Sequence, residues 1–440
     1  MARPIVVLGL WHLGPTIAAC LAAEGFRVVG TDPDPNLVAE LAQGRVPVAE
    51  PGLAELVQAE LASGRLSFQP DPATALAEAN LMWVAFDTPV DDEDEADVGF
   101  VRRETARLIR LLPEGATVAV SSQVPVGFTR GLREWWVSTG PPRRLRFAYS
   151  PENLRIGTAL QSFRQPARTV IGTEDGTPNQ SVRAALAPFA RELLWMSIES
   201  AEFTKHALNA FLATSVAFIN EIARLCERYG ADAKEVERAL KSDPRIGPGA
   251  YLSPGPAFAG GTLARDVRFL RRLGDETGVR TLLLAGVLES NAEQDEWRRR
   301  KIEELVGHLA GARIGVLGLT YKPGTDTLRR SAALALCAWL AERGALVRAH
   351  DPAVRLLPSG FVPRIELVPS PADVLPGADL LVVATPWPEY RRVAADDLVA
   401  AMKAPRVVDE SRLLADTLGA DPRIQYVTVG VPPAGSRGRS

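Results

Sequence analysis

Cysteine and histidine are scarce in this sequence, and the few present do not cluster. The three cysteines, Cys20, Cys226 and Cys337, lie far apart in Ala- and Leu-rich stretches without a CxxC pair. That argues against a disulfide framework and for buried thiols in a reducing compartment, with the cytoplasm as the expected location. His12, His206, His308 and His350 are scattered without metal-ligand spacing, so no metal is expected. Charge of either sign is not in excess. Lys and Arg total 50 against 53 Asp and Glu, which leaves no basic stripe for a phosphate backbone and removes nucleic acid as a partner. No apolar run reaches the ~18 residues of a membrane span, so no membrane association is expected. The short run Ile5 to Leu10 ends in a glycine turn without a cleavage site, and reads as a strand and not as a signal peptide. The acidic run Asp91 to Glu95 lacks EF-hand spacing and reads as a solvated loop.

What is present is ordinary globular material, 46% apolar and 23% charged, in a chain long enough for two or three domains of ~100 to 200 residues. The chain begins the same way twice. Val6-Val7-Leu8-Gly9-Leu10 is matched by Gly315-Val316-Leu317-Gly318-Leu319. Each apolar run breaks at glycine, continues into a helical stretch, and reaches a second strand ending in an acid, Asp32 and Asp351. The parallel extends to Leu81-Met82-Trp83-Val84-Ala85 and Leu380-Leu381-Val382-Val383-Ala384, both running on into Thr-Pro. Strands alternating with helices at this spacing predict parallel sheets with right-handed crossovers. Between the repeats the period turns helical, from about Ser200 to Tyr229 with Gly230 as the stop, and again over about Arg265 to Arg300. The expected fold is α/β, two Rossmann-like parallel-sheet domains joined by a central helical region that serves as a dimer seam. The boundaries read as 1–196, 197–300 and 301–430, followed by a loose Gly/Pro/Ser/Arg tail over 431–440.

Strand, glycine turn, helix and then Asp32 is the order of a dinucleotide site. The turn seats a pyrophosphate on a helix N-terminus, and the acid takes the ribose hydroxyls, favouring NAD over NADP. The turn reads Gly9-Leu10-Trp11-His12-Leu13-Gly14, so Trp11 replaces the second glycine of GxGxxG. A Trp there must turn its side chain away or move the cofactor. A Rossmann-like domain that binds no dinucleotide is the competing reading of this turn. The second copy, Gly318-Leu319-Thr320-Tyr321-Lys322, has no such glycine pattern and suits a different nucleotide.

Longer segments follow in order: Gly44 to Leu53, ending in Glu50-Pro51-Gly52-Leu53; Ser122-Gln123-Val124-Pro125-Val126-Gly127; Ser150-Pro151-Glu152-Asn153-Leu154-Arg155; Asn209-Ala210-Phe211-Leu212-Ala213 leading to Ile219-Asn220-Glu221; Asp243-Pro244-Arg245-Ile246-Gly247; Tyr321-Lys322-Pro323-Gly324-Thr325-Asp326 with Arg329 and Ser331; and Ala384-Thr385-Pro386-Trp387-Pro388-Glu389-Tyr390. Together they resemble the UDP-glucose/GDP-mannose dehydrogenase family over nearly the whole chain. The resemblance implies a cytoplasmic, dimeric NAD-dependent oxidoreductase of polysaccharide biosynthesis. Such an enzyme oxidises the primary alcohol of a nucleotide sugar twice, the second time through a thioester on cysteine.

Carried onto this chain, the resemblance implies catalytic roles for Lys205, Asn209, Asp266, Glu152 and Thr262. It implies cofactor contacts from Gly9, Trp11, His12, Leu13, Gly14, Asp32, Thr88 and Gln123. Substrate contacts fall on Glu152, Leu154, Arg245, Tyr251, Phe258, Gly260, Lys322 and Arg329, with Arg245 reaching a neighbouring subunit's site. Lys205 stands one helical turn before Asn209, on the same face, whereas His206 lies on a different one. The family's GFGGSC-x-x-x-D corresponds to Ala257 to Asp266, with Thr262 in the cysteine's place. A Thr hydroxyl needs an adjacent strong base to act as nucleophile. Gln123 replaces a Thr that orders the hydrolytic water, Ile156 a second carboxylate, and Ser253 a frequent lysine. The thioester machinery is missing as a set, while Lys205, Asn209 and Asp266 remain. Two readings follow: a two-electron or non-covalent oxidation of a UDP-glucose-like substrate, or an inactive nucleotide-sugar-binding relative with an accessory role.

Overall fold

The computed structural model describes residues 3–88, 97–151, 154, 157–361 and 364–432. They form two compact units, Met1–Ala207 and Leu208–Ser440, whose boundary falls inside the long helix Ile198–Tyr229.

The first unit is an eight-stranded sheet of β1 (Ile5–Leu8), β2 (Val28–Thr31), β3 (Leu66–Phe68), β4 (Leu81–Val84), β5 (Thr117–Val120), β6 (Arg146–Tyr149), β7 (Thr169–Thr173) and β8 (Leu193–Ser197). The order is β3-β2-β1-β4-β5-β6-β7-β8, parallel except where β7 pairs with β6. The central strands β1, β4 and β5 are buried along their whole length, which is why they read as unbroken apolar runs. Their side chains alternate between two cores. Ile5 and Val7 pack on one face and Val6 and Leu8 on the other.

The second unit repeats the plan with β9 (Arg313–Leu317), β10 (Leu346–His350), β11 (Ile365–Leu367), β12 (Leu380–Val383), β13 (Arg406–Asp409) and β14 (Gln425–Val427), ordered β11-β10-β9-β12-β13-β14. The internal repeat of the sequence is therefore a repeat of topology. In both sheets the order reverses beside the first strand, and an open α/β sheet places its ligand crevice at that reversal.

The helical stretch expected over Arg265 to Arg300 is two helices, Arg265–Thr277 and Leu282–Val306. Gly278 breaks it at φ +73, a left-handed conformation that glycine adopts without a Cβ penalty, and Val279 N donates back to Gly274 O at 2.8 Å. Small residues of the long helix, Ala210, Ala213 and Ala217, pack against Val267 and Val287 of these two helices.

Gly9, at the end of β1, has φ +95, and a Cβ there would stand 2.7 Å from the Phe86 backbone nitrogen. Gly9→Ala combines about 1–3 kcal/mol of backbone strain with about 1–3 kcal/mol of overpacking. The expected result is a lowered denaturant midpoint of the first unit, followed by the fluorescence of buried Trp83.

Candidate functional site

In the first unit, β1 delivers the glycine turn to the N-terminus of the helix Leu13–Ala23. Gly14 is pressed against the turn, since a Cβ on it would lie 1.7 Å from Gly9 O. Helix and strand approach this closely only with glycine at that position. Trp11 is 56% exposed, so its side chain turns to solvent. Leu10 N donates to Asp32 Oδ2 at 2.8 Å and Asp34 N to Asp32 Oδ1 at 2.9 Å. Asp32 stays half-buried, and that burial pushes its carboxyl above the usual range against the pull of the Asp34 and Leu10 N–H groups. Asp32 remains partly accessible beside the turn, which suits ribose hydroxyls. The backbone fits a dinucleotide despite Trp11.

Two carboxylates invisible to the glycine pattern complete this end of the sheet. Asp87, just beyond β4, accepts from His12 N at 2.9 Å and Leu13 N at 3.3 Å. Glu50, buried, pairs with His12 Nε2 at 2.9 Å and also accepts from Gly157 N at 2.7 Å and Ala159 N at 3.1 Å. His12 thus serves the turn through its backbone while its ring ties the turn to the 157–159 segment. Thr88 Oγ1 donates to Gln123 O at 2.7 Å, joining the ends of the β4 and β5 loops. His206 is buried with Nε2 3.2 Å from Val124 O, a structural contact in keeping with its place on a different helix face from Lys205. Leu154 is half-buried against the core, whereas Glu152, Arg155, Ile156 and the Asp91 to Glu95 run lie outside the described residues.

In the second unit, Asn209 Nδ2 donates to Asp266 Oδ2, and both side chains are buried, at 7% and 1% exposure. Asp266 opens the helix Arg265–Thr277, reached through a single π-turn, Gly260–Ala264, that carries exposed Thr262. Isolated π-turns recur at functional positions. Lys205 is half-buried on the long helix one turn before Asn209.

The segment leading to Thr262 is clamped by three amide side chains that the motif match passed over. Asn220 Oδ1 accepts from Gly255 N at 3.0 Å, and Gln294 Nε2 donates to Gly255 O at 2.9 Å. Asn291 closes both the N–H and the C=O of Phe258, at 2.9 and 3.0 Å. Asn291 and Gln294 are three apart on the helix Leu282–Val306, hence on one face. Ser253 Oγ donates to Glu237 Oε1 at 2.8 Å, and Lys234 Nζ reaches Ser253 Oγ at 3.3 Å. A neighbouring helix thus places an ammonium group beside the loop, itself paired with Glu237 Oε2 at 2.7 Å. Arg245, 88% exposed at its side chain, folds back on Asp243 through two hydrogen bonds of 3.0 and 2.7 Å. Tyr251, Lys322 and Arg329 are exposed.

The second glycine turn explains its own divergence. Asp351 stands where Asp32 stands, but it is only 2% exposed, and Oδ2 takes Leu319 N, Thr320 N and Trp387 Nε1 at 2.7, 2.9 and 3.1 Å. Its other oxygen accepts Ala353 N at 2.9 Å. With its lone pairs consumed by the chain, Asp351 cannot serve a ribose. Among the described residues no helix is long and apolar enough to cross a membrane, and no group of three or more His, Cys, Asp or Glu is placed to hold a metal.

Three domain models cover the chain in order: the NAD binding domain of the UDP-glucose/GDP-mannose dehydrogenase family at residues 3–190, its central domain at 199–293, and its UDP binding domain at 315–416. The UDP-glucose 6-dehydrogenase of Pseudomonas aeruginosa is 35% identical, over 98% of this chain and 98% of that one. That of Rhizobium meliloti is 33% identical, over 97% and 99%. A solved UDP-glucose dehydrogenase from Pyrobaculum islandicum superposes with a TM-score of 0.83 at 33% identity, covering 93% of this chain and 94% of that one.

Proposed function

The chain belongs to the UDP-glucose/GDP-mannose dehydrogenase family, and from that premise we propose that it oxidises the sugar primary alcohol of a UDP-hexose, UDP-glucose foremost, with NAD. The observation that carries this reading is the retained hydride-transfer set, with Asn209 and Asp266 joined and buried and Lys205 one turn away on the same helix. A buried carboxylate bonded to an amide holds that amide in one orientation, so the alcohol meets a fixed polar group. Lys205 takes the hydroxyl proton, and the carbon gives up a hydride, leaving an aldehyde. NAD, when bound, would supply the acceptor for that hydride. Asp32 would hold its ribose, and the N–H groups of His12 and Leu13, bonded here to Asp87, would serve its pyrophosphate.

Lys322 and Arg329 answer the substrate's phosphates, Arg supplying a planar two-donor fork. Tyr251 serves the base and Phe258 the sugar, and Arg245 swings away from Asp243 to reach a second subunit's site. Phe211, Phe218 and Leu225, exposed at intervals of seven on the long helix, form an apolar stripe that supports a homodimer through the central helices. The inactive-binder reading finds no support in the relatives, which are named as dehydrogenases.

With Thr262 in place of a thiol, the reaction stops after one hydride. Incubation with NAD and a panel of UDP- and GDP-sugars is expected to give one NADH per sugar and a hydroxylamine-trappable aldehyde. Two NADH per acid formed would sink the one-step reading. Sugar binding without any NADH would restore the inactive one.

A further inference from the structure

The two N–H groups assigned to the cofactor's pyrophosphate already carry an anion of the protein's own. Asp87 Oδ2 lies 2.9 Å from His12 N and 3.3 Å from Leu13 N, at the first turn of the 11-residue helix Leu13–Ala23. Those groups are among the helix's unsatisfied donors, and the helix dipole there favours negative charge. A carboxylate and a pyrophosphate cannot share them. The first must leave before the second binds, and having left it remains a like charge on the same short loop. We propose that Asp87 is an affinity-setting residue of the cofactor site, a tethered anion that competes with the pyrophosphate and weakens dinucleotide binding.

Nothing in the fold requires the carboxylate. Asp87 is exposed, its described partners are backbone N–H groups alone, and the helix would be served as well by a neutral acceptor. Asn and Ser keep such an acceptor and remove the charge. Asp32, by contrast, is half-buried with each oxygen bonded to a different N–H, and no second acidic side chain among the described residues bonds the His12 and Leu13 N–H groups. The competition is thus assigned to one side chain.

The inference rests on the NAD-binding reading above, and the test separates the two. Titration calorimetry on the full chain, with NAD, ADP-ribose and adenosine, compares the wild type with Asp87→Asn and Asp87→Ser. Both variants are expected to bind NAD and ADP-ribose about ten- to hundredfold more tightly, the scale of one like charge removed from a partly solvated site. Adenosine, which has no pyrophosphate, should bind unchanged, and added salt should narrow the difference by screening the wild-type repulsion. ADP-ribose binding that is unchanged or weaker in both folded variants overturns the inference while leaving the NAD reading intact. If neither the wild type nor the variants bind NAD or ADP-ribose, the cofactor reading falls and the inference with it.

Discussion

Lys205→Ala is expected to lower turnover about 10²- to 10⁴-fold, the usual contribution of a positioned proton-transfer group, while the sugar KM moves by no more than about threefold. Lys205 sits on the long helix with its side chain half-buried, one turn before buried Asn209. Residues four apart lie one above the other on a helix, so the lysine amine and the amide project from the same face. A proton acceptor acts as the hydroxyl proton leaves, so its loss belongs in kcat. Lys205→Arg should be nearly as damaging, because a guanidinium keeps the charge but cannot be deprotonated in a protein. NADH absorbance under saturating NAD and UDP-sugar, with circular dichroism to confirm folding, checks both variants. A lysine that merely solvates its helix would leave turnover within a few-fold and tolerate arginine.

The sheets were legible because burial on both faces writes itself as unbroken apolar runs. β1, β4 and β5 are buried throughout and were expected as strands of a parallel sheet, whereas the order reversal beside β1 comes from the structure. Helix ends were less legible. The break at Gly278 lies inside a polar, helix-rich stretch where one glycine is tolerated as often as it terminates, and only its positive φ decides the matter.

The site divides along the same physical line. Residues acting through local geometry, the glycine turn with Asp32 and the one-turn spacing of Lys205 and Asn209, are written in sequence order. Residues acting through the backbone of distant segments are not. Asn220, Asn291 and Gln294 reach carbonyls and N–H groups 33 to 39 positions away, and Asp87 reaches a turn 75 positions before it. Amides and carboxylates are common surface residues, and no period or spacing marks the ones whose partners are supplied by folding. Trp11 shows the converse. It departs from the glycine pattern, yet its exposed side chain leaves the turn intact, because the pattern constrains the backbone's surroundings and not the residue as such.

Asp266→Leu and Asn209→Ala should each lower turnover about 100-fold, and together they should cost little more than the worse of the two. Asn209 Nδ2 donates to Asp266 Oδ2 in a buried setting, so each holds the other's orientation, and the substrate meets the pair as one rigid group. Removing either member releases the second, and groups acting as a unit are strongly non-additive. The stability readings divide differently. Asp266→Asn keeps the volume and an acceptor oxygen, so the unfolding midpoint should move little. Asp266→Leu leaves the buried Asn209 amide without its acceptor and should cost about 1–3 kcal/mol. A double-mutant cycle on kcat/KM, run alongside denaturant unfolding of the same proteins, gives both answers. If the two activity losses multiply, the residues act on the alcohol separately, and the buried bond between them is a packing feature of the long helix with no part in placing the substrate.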